Sequence, residues 1–315
     1  MTAVSFTPVG PFSLAASTRF LEGFTPASYD HAADGVLRLA FPSDDGTCVI
    51  GSAVRQKETA DGTPGTVHAE FTVHTDGETI RPAAASAIGK AARAQIARIL
   101  SLDVDATGFS AHADNDAVLA GLRSEFPGLR PVLFHSPYEA AAWTIIGNRI
   151  RKAQAAAIKS RLAQQHGQAV GVAGRQLHAF PTPPVLRSLD RIPGLTDTKI
   201  GRFHALADAA LDGRLDADRL RAQPAEFALT DLRELPGVGP FSAELILIRG
   251  AGHLDVFPAN EPRVHKAMAT AYGLDTATAN SPRGLAAIAN AWRPYRSWVA
   301  FLLRAHAQDQ TDAAR

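Results

Sequence analysis

The sequence predicts an α+β fold, with a small antiparallel sheet and its helices in the N-terminal part and an all-helical region after it. Strand-like segments separated by turn residues fill the stretch from 36 to 73, whereas from about residue 110 apolar residues recur at helical spacing. A Pro-Gly-Val-Gly turn at 236–239 separates two further helical segments. We therefore expect a sheet domain over 1–105, a helical region over 106–307 that contains a hairpin motif at 229–250, and a frayed tail over 308–315.

The N-terminal elements are predicted from their apolar patterns and from the turns between them. A short helix over 13–24 ends at Gly23, and a helix over 83–100 packs on the sheet. Alternating or continuous apolar residues predict strands over 36–41, 48–54 and 67–73.

The second region is predicted to be helical throughout. A helix beginning at Pro137 is expected to run past Gly147 towards Gln165. The other helices are expected over 114–125, 183–188, 197–211, 229–235, 243–249, 263–272, 284–292 and 295–305.

Composition excludes several classes of protein. Hydrophobic residues make up 46% of the 315 residues and charged residues 20%, which is typical of a soluble globular chain. No apolar run approaches the ~20 residues that span a bilayer, and no signal peptide is evident, so we expect a cytoplasmic monomer without membrane contact. Cys48 is the single cysteine, which excludes intramolecular disulfides, thiolate metal sites and a four-cysteine iron–sulfur cluster. The eleven histidines form no metal-binding motif, and we expect no metal site.

Charge is unevenly distributed along the chain. Residues 145–315 carry 22 Lys and Arg against 15 Asp and Glu, although the net charge of the whole chain is only +1. A basic half favours a polyanionic partner such as nucleic acid. A solvated surface with a chance imbalance is the alternative interpretation.

The turn at 236–239 has the chemistry of a phosphate-binding hairpin. Gly237 and Gly239 relieve backbone sterics in a tight turn, and Pro240 suits the first position of a helix. Free amide hydrogens at such a helix start bind phosphate oxygens well. Because Val238 and its neighbours are small or apolar, the turn can bind a nucleic-acid backbone but can hardly read bases.

A carboxylate follows the hairpin at the start of another helix. In the segment Asp255–Arg263, Asn260 is the expected N-cap and Glu261 falls in the first turn, where the helix dipole favours an ionised carboxylate. The alternative is that Glu261 only complements the helix terminus.

The order of hairpin, apolar helix and carboxylate resembles the helix-hairpin-helix DNA glycosylases of the HhH-GPD superfamily. The layout of the whole chain is similar to the bacterial 3-methyladenine DNA glycosylase II family, with specific matches at 127–131, 143–147, 192–195 and Trp292–Trp298. The resemblance implies a monofunctional glycosylase of base excision repair, associated with the nucleoid. Such an enzyme flips alkylated purines out of double-stranded DNA and removes them by hydrolysis.

The resemblance also assigns residues to the reaction. Glu261 stands where the family has a catalytic Asp, and its extra methylene extends its reach by roughly 1.5 Å. Phe241 stands where lyase-type members have a nucleophilic Lys, which implies a water-using enzyme and offers a ring for the flipped base. Packing in the core with Leu245 and Ile248 is the alternative for Phe241.

Other residues are candidates for the base pocket and the DNA interface. Trp143, Tyr138 and Trp298, together with Phe20 and Phe24, are candidate pocket walls, and core packing is the alternative for each.

Arg304 stands where a family member presents a pocket Trp, and it could stack on a base or pair with Glu261. Arg149 follows Asn148 at the place from which the family fills the gap left by the flipped base, and a solvated surface Arg is the alternative. The family implies no cofactor apart from a possible monovalent cation in the hairpin. The substitutions at the carboxylate and at the pocket Trp leave open a second function, a damaged-DNA-binding protein with little or no catalysis.

Overall fold

A four-stranded antiparallel sheet forms the N-terminal part of the chain. The computed structural model describes residues 1–27, 29, 34–57, 65–75 and 82–313. Its strands lie in the order β1-β4-β3-β2, and each neighbouring pair is antiparallel. The strands are β1 Thr2–Phe6, β2 Leu37–Pro42, β3 Val49–Gln56 and β4 Val67–His74. The three predicted strands are present, whereas β1 was not predicted, because it is short and its partner β4 lies more than sixty residues along the chain.

One face of the sheet packs against two helices, α1 Leu14–Gly23 and α2 Pro82–Ile99. Side chains at alternate positions of β2, such as Leu37 and Phe41, point into this core, to which Ile96 of α2 also belongs. Apolar burial of this kind is the main stabilising contribution to the fold.

The opposite face of the sheet is covered by a β-hairpin that was not predicted from the sequence. The prediction of a purely helical second region is wrong here, because β5 Ala169–Val172 and β6 Arg175–His178 form an antiparallel pair. Ala173 and Gly174 make the turn, both with positive φ. Each strand has only four residues, too few for alternation to stand out from the surrounding helical pattern. The hairpin packs Val170 and Val172 on the apolar residues Val36, Ala40, Val49 and Ala53.

The other helices surround two further apolar cores. In chain order they are α3 Thr107–Ala113, α4 Ala117–Glu125, α5 Pro137–Gly147, α6 Lys152–His166, α7 Pro183–Arg187, α8 Asp197–Leu211, α9 Ala217–Ala222, α10 Ala225–Arg233, α11 Pro240–Leu245, α12 Pro262–Ala271, α13 Thr276–Ala279, α14 Pro282–Ala289 and α15 Arg296–Ala313. The chain between α11 and α12 continues as one π-helical turn over Ile246–Ala251.

Helices α3, α9 and α13 were not predicted, and two further differences concern the end of α5 and the C-terminus. The predicted long helix from Pro137 is broken into α5 and α6, and Arg149 lies in the break with a φ of 58°. The predicted frayed tail is helical as far as Ala313, since α15 continues past residue 308; residues 314 and 315 lie outside the described part of the chain. None of the helices in the described part combines the length and the apolar composition needed to cross a membrane.

Candidate functional site

A cavity of about 620 Å³ lies where the C-terminal end of α5, the hairpin helix α11, the start of α12 and the helix α15 converge. Helix α1 of the N-terminal part closes one side through Phe20 and Phe24. Of the predicted site residues, the cavity is lined by Glu261, Phe241, Trp143, Arg304 and Asn148. The fold therefore brings together residues that are more than 100 positions apart in the chain.

The prediction that both glycines relieve backbone sterics in the hairpin turn holds for Gly237 and is wrong for Gly239, which has an extended backbone with a φ of −90° and open space at the position of a Cβ. Gly237 has a φ of 88°, in the left-handed region that favours glycine. A Cβ at Gly237 would lie 2.5 Å from Cδ of Arg202, so the side chain of Arg202 lies flat against the turn. Gly239 is the N-cap of α11 and provides no side-chain hydrogen bond to its first turn. The amides at this helix start are therefore open to an external acceptor.

Close packing fixes the hairpin helix against α5. A Cβ at Gly250 would lie 2.8 Å from Cα of Pro137, so only glycine permits this approach. Arg98 of α2 donates from Nη1 to the carbonyl of Gly250 at 2.6 Å and also pairs with Asp44. The hairpin helix is thus held by both the helical region and the sheet region.

Phe241 projects from the first turn of α11 into the cavity with 42% of its surface exposed. This exposure excludes the alternative that Phe241 packs in the core. Trp143 of α5 lines the same cavity and is 9% exposed. Two aromatic rings are therefore available to a planar ligand, and such a ring face is suited to stacking on a base.

Glu261 is itself the N-cap of α12, which corrects the prediction that Asn260 takes this position. Its Oε1 accepts a hydrogen bond from the backbone N–H of Arg263 at 3.1 Å. Among the described residues, Oε2 has no hydrogen-bond partner, and the carboxylate forms no ion pair with Arg304 or Arg263. One oxygen therefore stabilises the helix start, and the other remains available to a ligand in the cavity.

The loop that carries Glu261 is fastened at both ends. Arg296 of α15 binds Asp255 from Nε at 2.6 Å, and the backbone N–H of Val256 donates to Ser297 Oγ at 3.0 Å. At the other end, the buried carboxylate of Glu244 accepts two hydrogen bonds from Asn260. Since the loop is anchored to α15 and to α11, Glu261 is held rather than displayed on a mobile segment.

Positive charge predominates around the cavity. Among the described residues, its lining carries the cations Lys152, Arg249, Arg263 and Arg304 against the carboxylates of Glu244 and Glu261. Burial, followed by the neighbouring arginines, lowers the pKa of Lys152, and burial together with Arg263 lowers the pKa of Arg304. Such crowding of cations favours an anionic ligand.

Arg249 lies at the floor of the cavity among phenylalanine rings. Its guanidinium carbon lies 4.7 Å, 5.0 Å and 5.3 Å from the ring centroids of Phe24, Phe301 and Phe20. Nη2 donates to the carbonyl of Val132 at 2.6 Å, and burial lowers the pKa of Arg249 to about 9. Contacts between a cation and ring faces offset part of the cost of burying it.

Two predicted pocket walls lie elsewhere. Tyr138 is buried, and its hydroxyl donates to the carbonyl of Pro181 at 3.0 Å. Trp298 is buried against Phe109 and Tyr295. Neither lines the cavity, because both point away from it into the apolar cores, and the pocket prediction is therefore wrong for this pair.

Asn148 and Arg149 form the exposed turn between α5 and α6, beside the cavity. Arg149 does not line the cavity, and its positive φ is uncommon for a residue with a side chain. Lys199 of α8 fastens the turn, because its Nζ donates to the carbonyls of Ile146 at 2.8 Å and Asn148 at 2.9 Å. The turn therefore presents Arg149 on a fixed backbone at the rim of the cavity.

Several residues of this site were missed by the sequence analysis. Arg249 and Glu244 lie eight and three positions after Phe241, so helical periodicity from Phe241 could have located them on one side of the hairpin helix. Phe301 lies three positions before Arg304 and could have been found in the same way. No sequence signal marks Lys152 or Lys199. Among the described residues, no three His, Cys, Asp or Glu side chains form a group that could hold a metal ion.

The arrangement defines a class of protein, an α+β fold in which a helix-hairpin-helix and the carboxylate of the next helix face one cavity. No protein-family profile matches the chain. It is 30% identical over 216 residues to the "probable bifunctional transcriptional activator/DNA repair enzyme AlkA" of Mycobacterium tuberculosis, which covers 66% of this chain. It is 25% identical over 170 residues to the DNA-3-methyladenine glycosylase of Bacillus subtilis, which covers 51% of this chain and 54% of that protein.

A solved structure matches the whole fold. The 3-methyladenine DNA glycosylase from Archaeoglobus fulgidus superposes with a TM-score of 0.75 and 20% identity over 98% of this chain and 99% of that one. The chain is therefore similar in sequence to DNA-3-methyladenine glycosylases and shares the fold of one of them. It spans 41% of the length of the mycobacterial relative that it matches.

Proposed function

We propose that the protein is a monofunctional DNA glycosylase that removes alkylated purines of the 3-methyladenine type from double-stranded DNA. The observation that carries the proposal is the position of Glu261, which lines the cavity opposite the hairpin helix with Oε2 free. Glycosidic cleavage builds positive charge on the sugar, and a fixed carboxylate stabilises that charge. In this proposal a water attacks the sugar carbon, Glu261 takes up its proton, and the base departs with the bonding electron pair.

The DNA would be bound by backbone contacts around the cavity. The amides at Gly237 and Gly239 offer donors for phosphate oxygens at the start of α11, whereas the amide of Val238 donates to the carbonyl of Leu235 at 3.0 Å. Because the side chains of 235–239 carry no ligand atoms, a monovalent cation in the hairpin would be held by main-chain carbonyl oxygens. Arg149 and Asn148, on the fixed turn after α5, would fill the gap that the flipped base leaves.

The flipped base would stack on Phe241 and Trp143. Both rings line the cavity, and its volume of about 620 Å³ is ample for a purine. Phe241 stands where lyases have an amine nucleophile and has no nucleophilic atom. Hydrolysis by water would therefore leave an abasic site as the product. Methylated purines carry positive charge and leave readily, so electrostatic help from a single carboxylate is adequate.

The experiment compares single-turnover release of free bases from methylated duplex DNA by the wild-type protein and by Glu261→Gln. The amide oxygen of Gln can still accept from the N–H of Arg263, so the substitution keeps the helix cap and removes the charge. We expect release of 3-methyladenine to fall by about 100- to 1,000-fold. Glu226→Gln, on the exposed N-terminal turn of α10, is the matched control and should release base at the wild-type rate.

A second candidate function is a damaged-DNA-binding protein without catalysis. It is favoured by the use of Glu261 Oε1 as a helix cap, which a purely structural carboxylate would also provide. Absence of base release by the wild-type protein, together with tight binding to an abasic-site analogue, would support the binder. Release that is unaffected by Glu261→Gln would show that the catalytic group lies elsewhere.

A further inference from the structure

Glu244 is a buried carboxylate of the hairpin helix that binds Asn260 in the catalytic loop. Only 6% of its surface is exposed. Oε1 accepts from Nδ2 of Asn260 at 2.7 Å, and Oε2 accepts from the backbone N–H of Asn260 at 2.9 Å. Both carboxylate oxygens are therefore committed to the residue that directly precedes Glu261.

Stability alone does not account for this carboxylate. Among the described residues Glu244 forms no ion pair, and burial together with the nearby charge of Glu261 raises its pKa. A buried charge without a counterion is costly even when it is hydrogen-bonded, and an apolar side chain on this helix would avoid that cost. Retained buried charges of this kind occur preferentially at functional sites.

The hydrogen bonds between Glu244 and Asn260, here called the clamp, link the hairpin helix to the start of α12. These two parts of the site must keep a fixed separation. Phe241 and Glu244 lie three residues apart on α11, so they share one side of the hairpin helix. Asn260 and Glu261 are consecutive at the start of α12. We infer that Glu244 is a positioning residue for base excision, which acts through Asn260 to hold the Glu261 carboxylate at a fixed place relative to Phe241. The inference rests on the proposed glycosylase function.

A role for Glu244 as a proton donor does not fit the contacts. Two N–H groups point at its two oxygens, so the carboxylate acts as an acceptor on both sides. A protonated carboxyl would place its hydrogen against one of these donors. Glu244 therefore serves as an anion that orients the loop and does not exchange protons with the substrate.

The first test is the single-turnover rate of Glu244→Gln on methylated duplex DNA. Gln removes the charge that strengthens both hydrogen bonds to Asn260, and the side-chain contact is kept only after the Asn260 amide turns over to present Oδ1. Because a misplacement of about 1 Å can slow a reaction by about 100-fold, we expect a loss of that order. Affinity for a duplex with an abasic-site analogue should change by less than about threefold, since the hairpin turn and Arg149 are untouched. Glu226→Gln is again the control.

The second test restores the clamp with reversed polarity. In Glu244→Gln combined with Asn260→Asp, the amide Nε2 can donate to the new carboxylate while Oε1 still accepts the backbone N–H at 260. Total charge is unchanged from the wild type. We expect the double variant to recover excision to within about tenfold of the wild-type rate, as expected for coupled partners. A group that acts only by filling space would not be rescued in this way.

The outcomes separate the inference from the function on which it rests. Wild-type excision with an equally fast Glu244→Gln variant would overturn the inference and leave the glycosylase proposal intact. Slow excision that Asn260→Asp does not restore, or that is matched by an equal loss of DNA affinity, would also overturn the inference, because Glu244 would then be structural. Absence of release by the wild-type protein would overturn the proposed function and the inference together.

Discussion

Helix α5 has a paired cluster of charges at one end and faces an unpaired set at the other. At its N-terminal end Glu139 binds Lys159 Nζ at 2.6 Å and His135 Nδ1 at 2.8 Å, and Lys159 also donates to the carbonyl of Pro26 at 2.9 Å. At its C-terminal end the cavity holds Glu261 near Lys152 and Arg304 without ion pairs among them in the described residues.

The two ends use the same residue types for different purposes. Charges that satisfy one another bind parts of the fold together, because neither partner can separate without leaving a buried charge. Charges left without partners remain available to a ligand and keep the cost of their crowding until it binds. The first arrangement contributes to stability, and the second prepares a site for an anionic ligand.

The largest expected effect comes from breaking the paired end. Glu139→Gln should lower the free energy of unfolding by about 3–5 kcal/mol, because Lys159 would be left buried with a neutral partner. Glu125→Gln removes one member of a similar but exposed pair with His306 and should cost less than about 1 kcal/mol. Urea denaturation of the three proteins measures both values. Equal losses of unfolding free energy in the two variants would contradict the distinction between a buried and an exposed ion pair.

The same cluster predicts a pH dependence. Burial alone would raise the pKa of Glu139, but His135 and Lys159 outweigh it and hold the pKa well below its ordinary value of 4.5. A depressed pKa contributes stability that is present above pH 4.5 and lost as the pH falls below it. The difference in unfolding free energy between wild type and Glu139→Gln should therefore shrink as the pH falls below about 4.5. A difference that grows as the pH falls below this value would contradict this sign.

The comparison can be sharpened at the cavity, the unpaired end of α5, by removing one of its cations. In Arg304→Met, a positively charged methylated base would meet less repulsion in the cavity, and its excision relative to a neutral damaged base should rise about tenfold. The measurement is the ratio of single-turnover rates for 7-methylguanine and for a neutral damaged base. Arg233→Met, on the exposed side of α10, is the control and should leave this ratio unchanged. A fall in the ratio for Arg304→Met would show that Arg304 binds the base directly.

The smallest expected effect concerns the rim. Lys199→Met removes two hydrogen bonds from the carbonyls of Ile146 and Asn148, so the turn that presents Arg149 should loosen. Because water can replace the lost hydrogen bonds at this turn, the affinity for an abasic-site duplex should fall by only about three- to tenfold. Lys90→Met, exposed on α2, removes the same charge at a distance and serves as the control in the same titration. An equal loss in both variants would indicate a general charge effect.

Much of the candidate site could be predicted from local pattern. The hairpin was located by Gly237 and Gly239, and Glu261 by its place at a helix start, since turns and helix ends depend on a few neighbouring residues. The strand β1 and the hairpin β5–β6 were missed because their pairing partners lie far along the chain or their strands are short. For aromatic residues, local pattern could not separate Phe241 and Trp143 in the cavity from Tyr138 and Trp298 in the cores.

The sequence by itself determined the α+β class, the place of the Pro-Gly-Val-Gly turn and the position of the carboxylate at a helix start, because each depends on residue types at close spacing. Only the tertiary structure decided which oxygen of Glu261 is free, that Glu244 grips Asn260, and that Lys199 fastens the rim. The contacts of Glu244 and Lys199 join residues 16 to 53 positions apart, and their existence depends on how helices pack. Side-chain pairing across packed helices is fixed by three-dimensional proximity, which no local pattern encodes.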